Sequence, residues 1–413
     1  MKIIEVQEIP INPKKNTLYS IKSKGVTSYT HGIHKYPAKF IPHIPRWAIL
    51  KYTKEKDYVL DPFMGCGTTL LEAKILGRNA YGLEISELAK LITKVKITSL
   101  SHKKLMELNK ELIKEINNIK IKNTIIIPNN IDRWFRKRSI RELAIIKNAI
   151  SKVKSPKYRK FYFVIFSSII RKISKAESQS QKVYISSRYP KKYINAIDVF
   201  SKELKKGTLA LSEFTEEIKN KSTKANIINK DAKKINLSNN SIDLAITSPP
   251  YINAINYINI HKLEYAWLSL NDSKKIKKAD KAQFGTEKIY YPEYLNKLNS
   301  EFPKINKLIN DLYKKSKKHS YIVSKYFLDM EESFKEIHRV LKKNSTYCMA
   351  IGNNKIKGIE IPNYKILIEI ANNVGFEFDN IFSYVIKNRI LRIPRNGRGG
   401  DINIDNIIVF KKK

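Results

Sequence analysis

Nine residues, Asp61-Pro62-Phe63-Met64-Gly65-Cys66-Gly67-Thr68-Thr69, restrict the fold of this chain more than any other stretch. They follow an apolar run, Tyr58-Val59-Leu60, and precede LLEAKILG (70–77), whose apolar spacing is helical. A strand, a glycine turn and a helix in this order open a parallel α/β sheet. Glycines at the carboxyl end of a strand let backbone approach a ligand, and the free N–H groups of the next helix suit a carboxylate. The loop therefore suits a cofactor with an amino-acid tail, although any tight strand-to-helix turn would use the same glycines. The next predicted strand, AYGLEI (80–85), brings Glu84 to its end. There a carboxylate accepts both hydrogen bonds of a ribose diol, or simply sits at the start of a helix that favours negative charge.

From about 99 to 222 the pattern changes to lysine-rich helical segments, among them WFRKRSIRELAIIKNAI (134–150) and KFYFVIFSSIIRKIS (160–174), which read as a helical insertion. Strand signals return in ANIINKDA (225–232), SIDLAITSPPY (241–251) and TYCMAIGNN (346–354). They close with a predicted hairpin of FSYVIKNRIL (382–391) and NIDNIIVFKK (403–412), with the turn RNGRGG (395–400) between them. A second polar stretch, 271–320, is expected outside the core as a small basic insertion. The chain thus divides into 1–98, 99–222, 223–270, 271–320 and 321–413, with the first, third and last parts forming one α/β domain.

Thr247-Ser248-Pro249-Pro250-Tyr251 directly follows the apolar strand IDLAI. Two prolines lack N–H groups and cannot continue a ladder, so they hold their carbonyls rigidly outward. Ser248 Oγ and the Pro249 carbonyl can both accept from an exocyclic amino group, and Tyr251 offers a face for an extruded base. A plain Pro-Pro turn would leave the serine and the aromatic as coincidence. Asp231 also ends a strand and can accept from an adenine amino group, though Asp is a common turn former.

Composition supports a polyanionic partner. Lys and Arg number 79 against 38 acids, for a formal charge of +41. A surface this basic gains affinity for nucleic acid by releasing condensed counterions. Genomic bias toward lysine, isoleucine and asparagine adds bases but does not explain so few acids. Cys66 and Cys348 lack metal-ligand or disulfide spacing, so no metal is expected. With no apolar run of about 18 residues and no apolar leader in MKIIEVQEIP, the expected location is the cytoplasm.

Taken jointly, DPFMGCGTT and TSPPY resemble the cofactor loop and catalytic motif of the amino-methylating DNA methyltransferases, with the cofactor motif first. His34-Lys35-Tyr36-Pro37-Ala38-Lys39-Phe40 is similar to the segment that walls the cofactor pocket in that family, and YINIHKLEYAW (257–267) looks like the segment after the catalytic motif. The resemblance implies a Rossmann-like S-adenosylmethionine-dependent methyltransferase fold, with a mostly parallel sheet, a C-terminal antiparallel hairpin and a helical insertion. It implies catalysis by Ser248, Pro249, Pro250 and Tyr251. The implied S-adenosyl-L-methionine contacts are His34, Lys39, Phe40, Asp61, Pro62, Phe63, Gly65, Gly67, Thr68, Thr69, Glu84 and Asp231. It further implies that the target nucleotide leaves double-stranded DNA and that a cognate restriction endonuclease accompanies the enzyme.

Serine after threonine before the prolines is typical of the family's cytosine-N4 enzymes, whereas adenine-N6 members more often carry Asp or Asn, so cytosine N4 is the expected target and adenine N6 the alternative. RNA base-amino methyltransferases share both motifs, usually with Asn or Asp before the prolines. Arg133, Arg136, Lys137 and Arg138 around Trp134 are candidate DNA-backbone contacts, although arginines on a helix face often have no ligand.

Overall fold

The computed structural model describes residues 3–22, 25–118, 128, 130–177, 183–228, 231–252, 256–270, 272–295, 298, 303–387 and 403–413. Its strands, in chain order, are β1 (Ile3–Val6), β2 (Leu18–Ile21), β3 (Tyr58–Asp61), β4 (Asn79–Leu83), β5 (Ala225–Ile228) and β6 (Ile242–Thr247). They continue with β7 (Leu341–Ile351), β8 (Asn354–Ile356), β9 (Ile359–Ile361), β10 (Phe376–Val385) and β11 (Ile404–Lys412). One sheet runs β1-β2-β10-β11-β7-β6-β3-β4-β5, and β8 and β9 form a small separate ribbon.

Within the large sheet, among the described residues, pairing is parallel from β5 through β4, β3 and β6 to β7 and antiparallel where β11 meets β7 and β10. The α/β class, the parallel sheet and the closing hairpin all match the sequence reading. Two differences stand out. β10 begins at Phe376, six residues before the predicted start, and the tail of that segment (388–391) and the RNGRGG turn lie outside the described residues. In addition, β1 and β2, which carry no strong alternation, extend the sheet beyond the hairpin through a short parallel match of β2 with β10.

Side chains alternate between two cores because successive strand residues face opposite ways. Val59, Leu244, Cys348, Ile407 and Phe382 point into one core, and Leu60, Ala245, Tyr347, Ile408 and Phe410 into the other. The first core is roofed by helices His43–Tyr52, Thr68–Ile75 and Glu87–Lys96, and beyond them by His102–Asn118, Lys137–Ser151, Pro156–Ile173 and Ala196–Glu217. The second is roofed by Pro303–Lys315, Lys317–Val340 and Asn363–Val374. Phe284, Ile289, Ile305 and Ile309 are buried in that second core, so the stretch expected outside the core contributes apolar side chains to it. β11 is further tied down where Lys412 Nζ donates to the carbonyls of His338 (2.6 Å) and Leu341 (2.6 Å), a cation satisfying carbonyls at and just past a helix C-terminus.

Candidate active site

The order of the strands decides where a ligand can sit. From β3 the chain winds outward through β4 to β5, then returns to the other side of β3 as β6, leaving a crevice at the carboxyl ends where the direction reverses. Asp61, which ends β3, fastens both sides of it. Its Oδ2 accepts from Thr69 Oγ1 (2.6 Å), and its Oδ1 accepts from Thr247 Oγ1 (2.7 Å) and from the Phe63 N–H (3.1 Å). One buried carboxylate thus joins the glycine loop, the helix after it and the residue before Ser248. Burial pushes the Asp61 carboxyl up to about 6, against the opposing effect of these three donors.

The cleft is lined by Tyr36, Ala38, Lys39 and Phe40, by Asp61 to Cys66 and Thr68, by Glu84 to Ser86, by Asp231, and by Ser248, Pro250 and Tyr257. The two motifs, whose facing ends Thr69 and Thr247 are 178 positions apart in sequence, therefore meet in one crevice. Gly65 reaches the wall with a left-handed φ of +50°, and a Cβ there would touch only Tyr36 Cε1, at 3.8 Å. Thr68 Oγ1 is buried with no hydrogen-bond partner, at the start of the helix following the loop. Burial drives the Glu84 carboxyl up to about 7, although the Ser86 N–H donates to it at 2.7 Å. An orphaned hydroxyl, a desolvated carboxylate and an open glycine edge fit the polar tail and ribose of S-adenosylmethionine.

Other sequence candidates do not line the cleft. His34 is buried, its Nδ1 on the Lys35 carbonyl (2.8 Å) and its Nε2 on Ser167 Oγ (3.0 Å), and burial lowers its pKa to about 4. Thr69 is turned inward by Asp61. Pro249 is buried, and Tyr251 directs its hydroxyl to Asp405 on β11. Gly67 serves packing: with φ +76°, it admits Thr93, and a Cβ would fall 2.4 Å from Thr93 Cγ2. Gly67→Ala should therefore lose about 2–3 kcal/mol of stability, combining left-handed strain with overpacking, seen as a lower unfolding midpoint in urea. Asp231 lines the cleft, and its Oδ1 accepts from the Lys233 N–H (3.1 Å) in a turn.

Sequence reasoning missed several wall residues. Tyr36 stacks on Tyr257 (centroids 5.7 Å, 13°) and on His261 (5.1 Å, 21°), so the segment before the loop and the helix after the catalytic motif form one aromatic wall. Phe284 meets Phe63 edge-on at 4.9 Å, with Ala279 and Gln283 beside it on the wall. Tyr36 lies inside a quoted motif, but nothing local marks Phe284, 221 residues after Phe63. Beneath the loop, buried Lys96 donates to the Cys66 carbonyl (2.9 Å).

Of the candidate DNA contacts, Arg133, Lys137 and Arg138 are exposed. Arg138 lies 4.6 Å over the Tyr193 ring and pairs with Glu142, whereas Arg136 is spent on the Lys191 carbonyl. Trp134 is flanked by Arg133 at 5.4 Å and Lys262 at 4.0 Å. Among the described residues no helix is long and apolar enough to cross a membrane, and no cluster of three or more metal-ligating side chains occurs.

A family model described as DNA methylase, of the N6/N4 type, matches residues 6–95 and 242–413. The chain is 29% identical over 397 residues to the type II methyltransferase M.MvaI of Kocuria varians, covering 88% of this chain and 85% of that protein. It is 24% identical over 398 residues to the type II methyltransferase M.BsoBI of Geobacillus stearothermophilus, covering 81% and 75%. The solved TehB-like SAM-dependent methyltransferase of Corynebacterium glutamicum aligns at TM-score 0.30 with 9% identity, over 89% of this chain and 87% of that one.

Proposed function

Because the chain belongs to the DNA methylase family of N6 and N4 methyltransferases, we propose that it methylates the exocyclic N4 of cytosine in double-stranded DNA, using S-adenosyl-L-methionine. The observation that carries this reading is the meeting of Ser248 and Pro250 with Asp61, Gly65 and Glu84 in one cleft. Serine before the prolines favours cytosine over adenine. Similarity to type II methyltransferases over most of the chain supports a modification enzyme paired with a restriction endonuclease.

When bound, S-adenosylmethionine supplies an electrophilic methyl group. Residues 63–68 and the helix start would hold its methionine portion, Glu84 its ribose, and Asp231 its adenine. The target amine is a poor nucleophile because its lone pair is delocalised into the base. Ser248 Oγ and the Pro249 carbonyl, accepting its hydrogens, favour a pyramidal nitrogen and stabilise the positive charge that develops there. The half-buried Tyr251, next to cleft-lining Pro250 but itself outside the cleft wall, would have to turn its ring toward the extruded base to offset part of a few kcal/mol of unstacking. Neither cysteine is needed. DNA recognition falls to the helices of 99–222 and to 271–320, with Arg133, Lys137 and Arg138 as exposed backbone contacts.

Incubating the protein with plasmid DNA and labelled cofactor, then digesting to nucleosides for mass spectrometry, tests the target. N4-methylcytosine is expected. N6-methyladenine would move the target to adenine, and label in RNA alone would remove DNA as substrate. Glu84 adds a pH signature. A ribose diol needs the ionised carboxylate, and the raised pKa near 7 means that this form is lost as pH falls through neutrality. Cofactor affinity measured by calorimetry should drop about tenfold from pH 8 to pH 6, and Glu84→Gln should be weak and flat over that range.

A further inference from the structure

One helix meets the cofactor cleft on one face and solvent on another. The helix Ser273–Ala282 and the residues just after it bring Ala279, Ala282, Gln283 and Phe284 to the cleft. Ala282 lines the cleft and is still exposed, so this element forms a rim of its mouth. Phe284 wedges against Phe63 of the glycine loop at 4.9 Å, and Asn256 Nδ2 donates to Asp280 Oδ1 at 3.1 Å. Asn256 also caps the helix Tyr257–Ile260, its Oδ1 accepting from the Asn259 N–H at 2.9 Å. The rim is thus tied both to the loop that suits the cofactor and to the segment that follows the catalytic turn.

The outer face is cationic. Lys274, Lys277, Lys278 and Lys281 fall at i, i+3, i+4 and i+7, which places them in one stripe, and all four are exposed. Ala279, Ala282 and Gln283 share a different face, again by helical spacing. Asp280, the one acid of this helix, is buried and turned to Asn256, so it neutralises nothing on the outer side. Lys281 pairs with Glu293 at 3.2 Å. Among the described residues, Lys274, Lys277 and Lys278 have no carboxylate partner. Like charges at these spacings destabilise a helix, and a polyanion lying along the stripe reverses the sign of that effect.

We propose that this lysine stripe binds the DNA backbone beside the target nucleotide, and that DNA docked there holds the helix against the cleft and so tightens the cofactor. The proposal rests on the DNA methyltransferase reading above. A base that enters the cleft to reach Ser248 brings its flanking phosphates to the mouth, where the stripe lies. Each ammonium that meets a phosphate releases condensed counterions, which adds affinity without reading sequence. The residues that line the cleft belong to the same helix, so DNA that favours its seated position also favours an intact cofactor wall. The coupling is reciprocal, and bound cofactor favours DNA by the same factor.

The test compares wild type with a rim variant, Lys274→Gln/Lys277→Gln/Lys278→Gln, and a control, Lys54→Gln/Lys56→Gln/Lys224→Gln. The control removes the same charge from exposed lysines at the amino ends of β3 and β5, opposite the cleft. Affinity for a labelled duplex of arbitrary sequence is measured against salt. Affinity for S-adenosylhomocysteine, which cannot turn over, is measured by calorimetry with and without saturating duplex. In the rim variant the slope of log affinity against log salt should be shallower by about 2 to 3, one phosphate for each lysine, whereas the control should stay within about 1 of wild type. Without DNA all three proteins should bind S-adenosylhomocysteine within about twofold of one another, because the substitutions are on the surface. Duplex should tighten that binding at least about fivefold in wild type and control, and less than about twofold in the rim variant. A rim variant whose salt slope matches the control would overturn the DNA contact. A wild type whose S-adenosylhomocysteine affinity ignores duplex, or a rim variant that keeps the full gain, would overturn the coupling. Both measurements proceed without methyl transfer, so a wild type that methylates no DNA would sink the parent reading separately.

Discussion

Ser248→Ala combined with Pro249→Ala should lower the single-turnover rate of methyl transfer by about a thousandfold or more, while cofactor affinity changes by less than about threefold. Removing one pre-positioned partner of a developing charge costs about 100- to 1000-fold in other enzymes, and a displaced neighbour about another hundredfold. Ser248→Ala deletes the acceptor. Pro249→Ala keeps the carbonyl but frees the backbone that aims it. The cofactor should hardly notice, because Asp61, Gly65, Thr68 and Glu84 occupy other walls of the cleft. Rapid-quench assays with labelled cofactor, set beside equilibrium binding, separate the two quantities. A rate within tenfold of wild type would remove the turn from the chemistry.

Gly65→Asp should produce the opposite pattern, a cofactor dissociation constant raised by at least about a hundredfold in a protein that still folds. The added Cβ meets only Tyr36 at van der Waals distance, and Asp tolerates a left-handed φ better than most residues, so the fold is spared. The carboxylate, however, enters the cleft beside the helix start where a ligand carboxylate would lie, placing like charges together. Calorimetric titration with the cofactor measures the loss, and an unchanged melting profile by circular dichroism excludes unfolding. Retained affinity would show that the loop binds something other than an amino-acid tail.

Local signals made part of this legible from sequence. β3, the glycine loop and its helix occupy adjacent residues, so apolar spacing and turn chemistry suffice to place Asp61, Gly65 and Thr68, and the same holds for Ser248 after β6. Roles set by tertiary contact were not legible. His34 sits in a pocket-wall motif, yet its ring is captured by Ser167 from a helix 133 residues later. Gly67 looks equivalent to Gly65 until Thr93 fills the space beside it. Phe284 reaches the cleft from a stretch whose lysines suggested a solvated face, because its few apolar residues turn inward. Asp405 reads as an ordinary polar residue in a strand until Tyr251 and Tyr384 converge on it.

The position of β11 has a consequence for biosynthesis. It is made after β10 and β7, yet it wedges between them, so a growing chain that has already acquired every motif holds a sheet split into two unjoined slabs. Only when residues 404–412 emerge can the slabs zip together and Asp405 reach the turn at Ser248. Closure of this sheet thus waits on β11, although the strands on either side of it are synthesised earlier.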